Sequence, residues 1–142
     1  MNIDVNFMII VFVGVMASMI FSSIWYSPKV FGDEWMKLAN VSPSAAQNVR
    51  RRMMITFFAN FAIAMTLFTI LNWAGANSTL TGAAAGIWIG SGISGMSLLI
   101  PYLWEGRPVR LFLITAGNMI FSIIIMSAVM AHLIGTFGTQ AP

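Results

Sequence analysis

The chain has 142 residues, of which 58% are hydrophobic and 8% are charged, and its formal net charge is +3. Soluble domains carry about 25% charged residues, so this chain cannot cover a water-facing surface and reads as one membrane domain over residues 1–142. It has no cysteine, which excludes disulfides, thiolate metal sites and cysteine nucleophiles.

The first apolar run, about residues 5–26, is long enough to cross a bilayer, which takes about 20 residues. It begins with Asn2 and Asp4 instead of a basic start and continues into bulky Trp25 and Tyr26. It is therefore expected to be a retained span and not a cleaved signal. Trp25 and Tyr26 mark a membrane–water boundary, because each ring has an apolar body and one polar edge. Pro28 ends the incoming helix, having no N–H to donate. Beyond it Phe31, Trp35 and Leu38 recur at helical spacing, while Asp33 and Lys37 fall on another side. That pattern predicts a short helix lying in the interface.

Ser42-Pro43 has the form of an N-cap followed by proline at the first helical position, and Ser44 to Gln47 has capping-box spacing. The second helix is thus expected to start in water and carry Arg50, Arg51 and Arg52 at the headgroups. It should cross at about residues 53–73. The link from Asn72 to Thr79 is short and uncharged, with Gly75, Asn77 and Ser78 as turn formers. In the third span, about 80–102, Gly82, Gly86, Gly90 and Ser94 recur every fourth residue. Lipid tails give helices no hydrophobic reason to associate, so a stripe of small residues predicts close helix packing. Pro101 is expected to help end this span, with Tyr102 and Trp104 at the boundary. Glu105-Gly106-Arg107-Pro108-Val109-Arg110 forms a tight connector, and Glu105 with Arg107 and Arg110 can pair there or hold a lipid phosphate. The fourth span covers about 111–134, and Gly135 to Pro142 is expected to be a frayed tail.

All seven basic residues lie in the first and third connectors. By the positive-inside rule both connectors are cytoplasmic and both termini face outward. Basic residues split between two short loops suit anionic lipid headgroups and do not make a nucleic-acid face.

Trp25-Tyr26-Ser27-Pro28 with Phe31-Gly32 and Trp35, followed by Glu105-Gly106-Arg107-Pro108 running into Leu111-Phe112-Leu113-Ile114-Thr115-Ala116-Gly117, resemble a known family. They are similar to the small bacterial membrane proteins grouped as domain of unknown function 1761, over nearly the whole chain. Where an asparagine is expected before the Ala-Gly pair, this chain has Thr115, and Asn118 follows the pair. The resemblance implies a four-span bacterial membrane architecture and, by the family's own label, no established activity.

The residues offer no catalytic or metal constellation and imply no cofactor. His132, the single histidine, has no acid in its span to orient it. Asp33, Glu34 and Glu105 read as solvated loop carboxylates near arginines. The twelve methionines form no close Met-x-x-Met series and read as adaptable core filler. Depth is more informative. Asn60 lies eight residues past Arg52, Asn118 eight past Arg110, Ser18 eight before Tyr26 and Ser94 eight before Tyr102. Each is then roughly 12 Å inside the basic boundary. Carboxamides are costly in lipid, so a polar layer is expected in which Asn60 and Asn118 share a hydrogen bond directly or through one water.

The expected fold is an all-α, four-span antiparallel bundle with an interfacial helix in the first connector. Two functions fit it. One is a non-enzymatic structural or assembly protein of the bacterial inner membrane, self-associating through the glycine-rich third span. The alternative is a small transporter or channel subunit with a polar pocket at Asn60 and Asn118.

Overall fold

The computed structural model describes residues 5–41 and 48–137. The Ser42-Pro43 cap, the Ser44–Gln47 capping box and the tail beyond Phe137 lie outside the described residues. Four helical segments are long and apolar enough to cross a membrane: Val5–Trp25, Val49–Trp73, Thr79–Trp104 and Val109–Phe137. The first is α1 and the second α3, with the short α2, Gly32–Leu38, between them. The third is built from α4, Thr79–Ile87, a π-helical stretch, Trp88–Gly95, and α5, Met96–Trp104; the last is α6. The protein is an all-α, multi-pass membrane bundle.

Each boundary has a local cause. After α1 the chain turns at Ser27-Pro28 and closes on itself, Phe31 N–H donating to Trp25 O and Gly32 N–H to Ser27 O. Gly32 is required at this turn, because a Cβ there would stand 2.2 Å from Tyr26 O. The α3–α4 link uses Gly75 at φ +64° and a capping box in which Ser78 and Thr81 satisfy each other's orphan groups. Gly106, at φ +63°, turns the chain from α5 towards α6, with Arg107 N–H donating back to Tyr102 O.

Two features of the third span depart from the sequence reading. Pro101 does not end it; it sits inside α5, which runs on to Trp104. The span is also not a regular α-helix, since Trp88–Gly95 adopts π geometry. Gly90, Gly92 and Gly95 have no Cβ to resist that wider turn.

α6 is the hub. It packs on α1, α3 and α4 as well as on the π stretch, α5 and α2. α3 leans chiefly on α1, and α4 chiefly on α6, so α3 and α4 are not close partners although a short link joins them. The glycine stripe faces α6: Cβ atoms at Gly82 and Gly86 would come within 2.3 Å of Ser127 O and 2.7 Å of Ile124 Cα. Gly90 meets Ile120 at 3.1 Å. Across the bundle Gly14 of α1 admits Met126 and Met130.

The main apolar cluster lies mostly in one half of the thickness. Phe7, Ile10, Val11 and Val15 of α1 pack with Ala64, Leu67, Phe68 and Leu71 of α3, and with Met126, Met130 and Ile134 of α6. Phe7 and Phe68 meet edge to face at 4.8 Å. The half nearer the arginines is built differently.

Candidate functional site

In that basic half three polar stripes run along three helices. α1 carries Ser18 and Ser22, and Tyr26 follows directly after its end, the three spaced four residues apart on one face. α6 carries Thr115, Asn118 and Ser122, three and four apart, and α3 carries Arg52, Thr56 and Asn60, again four apart. α1 faces both of the others. Towards α6 the seam is closed: Asn118 Nδ2 donates to Ser22 Oγ at 3.2 Å, and Ser22 Oγ lies 3.2 Å from Ser122 Oγ. Asn118 and Ser122 are both buried. Towards α3 the seam closes only at its deep end, where Ser18 Oγ donates to Asn60 Oδ1 at 3.4 Å. Asn60 Nδ2 donates to Thr56 O at 2.9 Å.

The two asparagines therefore do not share a hydrogen bond. Each takes its own serine on α1, Ser18 for Asn60 and Ser22 for Asn118. Ser94 is half-buried in the π stretch and joins none of these bonds. Above the Ser18–Asn60 contact α1 and α3 part, leaving a groove of about 310 Å³ between Ser22, Ser23 and Tyr26 on one wall and Arg52 and Thr56 on the other.

At the basic end the aromatic anchors form a corner that locks α1 and α2 onto α6. The Trp25 indole N–H donates to Ile114 O at 3.1 Å, its ring lying over Gly117, where a Cβ would be 3.0 Å away. Phe31 and Phe121 flank the same ring, with centroids at 4.7 and 5.9 Å. Trp35 meets Tyr26 edge to face at 5.3 Å, and Leu38 is half-buried behind it. Tyr102 donates to Thr115 Oγ1 at 3.3 Å, and the Tyr26 hydroxyl approaches the same threonine. Trp104, by contrast, is 89% exposed and touches little of the protein.

The charges sit outside this corner. Glu34 of α2 pairs with Arg110 of α6, and Glu105 pairs with Arg107 at 2.5 Å. The Glu105 carboxylate, by hydrogen bond and charge, raises the Arg107 guanidinium above its ordinary pKa. That guanidinium also lies over the Tyr102 ring at 5.2 Å. Arg50, Arg51 and Arg52 are exposed at the start of α3. Among the described residues no group of His, Asp and Glu is placed to hold a metal ion, and His132 is exposed on α6, towards the opposite end from Glu105.

Sequence reasoning found Ser18, Asn60 and Asn118 but missed Ser22, Ser122 and Thr115, which complete the stripes. The available signal was spacing: Ser22 is four from both Ser18 and Tyr26, and Ser122 is four from Asn118. It named Glu34 and Gly117 but not their partners, Arg110 and Trp25, which are distant in sequence.

A family model described as "Protein of unknown function (DUF1761)" matches residues 9–131 of the chain. Comparison with curated proteins and with solved structures finds no match.

Proposed function

The chain belongs to the DUF1761 family of proteins of unknown function, and from its own geometry we propose that it is a non-enzymatic assembly protein of a bacterial inner membrane. The observation that carries this reading is the closed seam between α1 and α6. Asn118, Ser22 and Ser122 satisfy one another inside the bundle. A conduit would need those groups turned towards water along a continuous path, and the groove beside α3 stops at Asn60 without reaching Asn118. A core of this kind holds shape and presents outer faces to other spans.

Self-association through the third span would use its outer face, since α6 already covers the glycines. There Ile87, Trp88 and Ile93 are 51%, 78% and 63% exposed. The chain has no cysteine, so Trp88→Cys introduces a unique thiol for oxidative crosslinking in native membranes. Trp88→Cys is expected to give a covalent dimer, and Ile55→Cys on the lipid-facing side of α3 is not. Absence of any crosslink from the third span, together with solute flux in proteoliposomes that Asn60→Ala abolishes, would overturn the assembly reading in favour of a transporter.

A further inference from the structure

Polar faces that oppose each other inside a membrane ordinarily meet, because lipid satisfies none of their donors and acceptors. The α1 and α6 stripes do so. The α1 and α3 stripes meet at one rung only, Ser18 with Asn60, and then diverge towards the arginines around an opening of about 310 Å³. That volume is at the lower end of the ~300–1,000 Å³ range of small-molecule sites. Of the wall hydroxyls, Ser22 bonds within the α1–α6 seam, Ser23 donates to Met19 O and Tyr26 approaches Thr115, so an acyl chain alone would leave Thr56 without a partner. The occupant must instead offer an acceptor to Thr56, carry negative charge for Arg52, and belong at the membrane boundary.

Charge supports the same occupant. Arg52 is the one charged residue lining the groove. The ion pairs among the described residues engage Arg107 and Arg110 with Glu105 and Glu34, leaving Arg52 with no carboxylate partner among them. Met19 and Met53 line the remaining wall and suit the first methylenes of a chain. From Arg52 to Asn60 the groove runs roughly 12 Å along α3, the depth from headgroup to upper acyl region. We propose that this groove binds one anionic phospholipid from the leaflet on the arginine side. Its phosphate sits at Arg52, its glycerol or ester oxygens take a hydrogen bond from Thr56, and its chains leave sideways past Met53 into the bilayer. The site is independent of whether the protein self-associates.

The test is native mass spectrometry of the full chain in detergent, titrated with phosphatidylglycerol or phosphatidylcholine. The parent is expected to retain one phosphatidylglycerol in preference to phosphatidylcholine. Arg52→Gln should weaken retention by about tenfold, as loss of a charge-assisted phosphate contact does, and Thr56→Val by a few-fold. Arg51→Gln removes an equal charge from the same helix outside the groove and should stay within about twofold. The proposal fails if Arg51→Gln costs as much as Arg52→Gln, since that describes a diffuse basic fringe. Equal retention of phosphatidylcholine also overturns it, as does displacement of the lipid by millimolar inorganic phosphate, which would make Arg52 a site for the free anion.

Discussion

Adding one methyl group at successive glycines of the third span should produce a graded loss set by distance to α6. At Gly82 the new Cβ would lie 2.3 Å from Ser127 O and 2.5 Å from Ala131 Cβ. Both atoms belong to backbone or to a side chain with no freedom to move, so the helices themselves must separate. Such overpacking costs about 1–3 kcal/mol, offset by roughly 0.5–1 kcal/mol for replacing glycine within a helix, so Gly82→Ala should lose on the order of 1–2 kcal/mol. Gly86→Ala, against Ile124 Cα at 2.7 Å, belongs in the same range. At Gly90 the nearest atoms stand at 3.1 and 3.2 Å, and the two terms should nearly cancel. Gly92 has nothing within 4 Å, so Gly92→Ala should be neutral or slightly stabilising. Reversible unfolding in mixed micelles, followed by circular dichroism, ranks all four variants. A Gly82→Ala protein as stable as the parent, or Gly92→Ala as the worst of the series, would refute the close approach of α4 to α6.

Three further expectations concern the basic half. Asn60→Ala and Asn118→Ala should each cost about 0.6 kcal/mol and add within roughly 0.5 kcal/mol, because they bond to different serines; Ser22→Ala with Asn118→Ala should be sub-additive, and the reverse pattern in the same unfolding assay would rule out this pairing. Trp25→Phe keeps the ring contacts but loses the bond to Ile114 O, and should lower stability by about 1 kcal/mol; an unchanged melting curve would mean the indole N–H is not bound there. Reporter fusions should read outside at Pro142 and inside when inserted after Asn40, and an inside signal from the C-terminal fusion would reverse the proposed orientation.

The spans were legible because a bilayer demands about 20 apolar residues and tolerates few charges between them. Depth was legible too: counting eight residues from Arg52 and Arg110 found Asn60 and Asn118. Azimuth was not, since a count along the axis does not say which neighbour a side chain faces. Hence the expected Asn60–Asn118 bond gave way to two bonds to α1, and Ser22, one helical turn closer to the boundary than the chosen depth, was passed over. The glycine stripe announced a close helix contact, while the π geometry of Trp88–Gly95 left no trace, because a run of glycine and serine fits either helix. Pro101 was read as a stop, yet the chain continues through it for three residues. Trp25 and Gly117 could not be paired from sequence at a separation of ninety-two positions, although each falls in one of the two stretches that carry the family resemblance.

The central place of α6 has a consequence for biogenesis. The ribosome makes the spans in chain order, yet the one that the other three lean on emerges last. Until it enters the bilayer, the glycine face of α4 has no partner and Ser22 has neither Asn118 nor Ser122. α1 and α3 can pair early through Phe7 and Phe68, but the nascent third span must wait beside them with a polar and small-residue seam facing lipid. Assembly of this protein is thus a closing step rather than a sequential one. A nascent chain arrested before Val109 should be held by the insertion machinery or degraded, whatever the hydrophobicity of its first three spans.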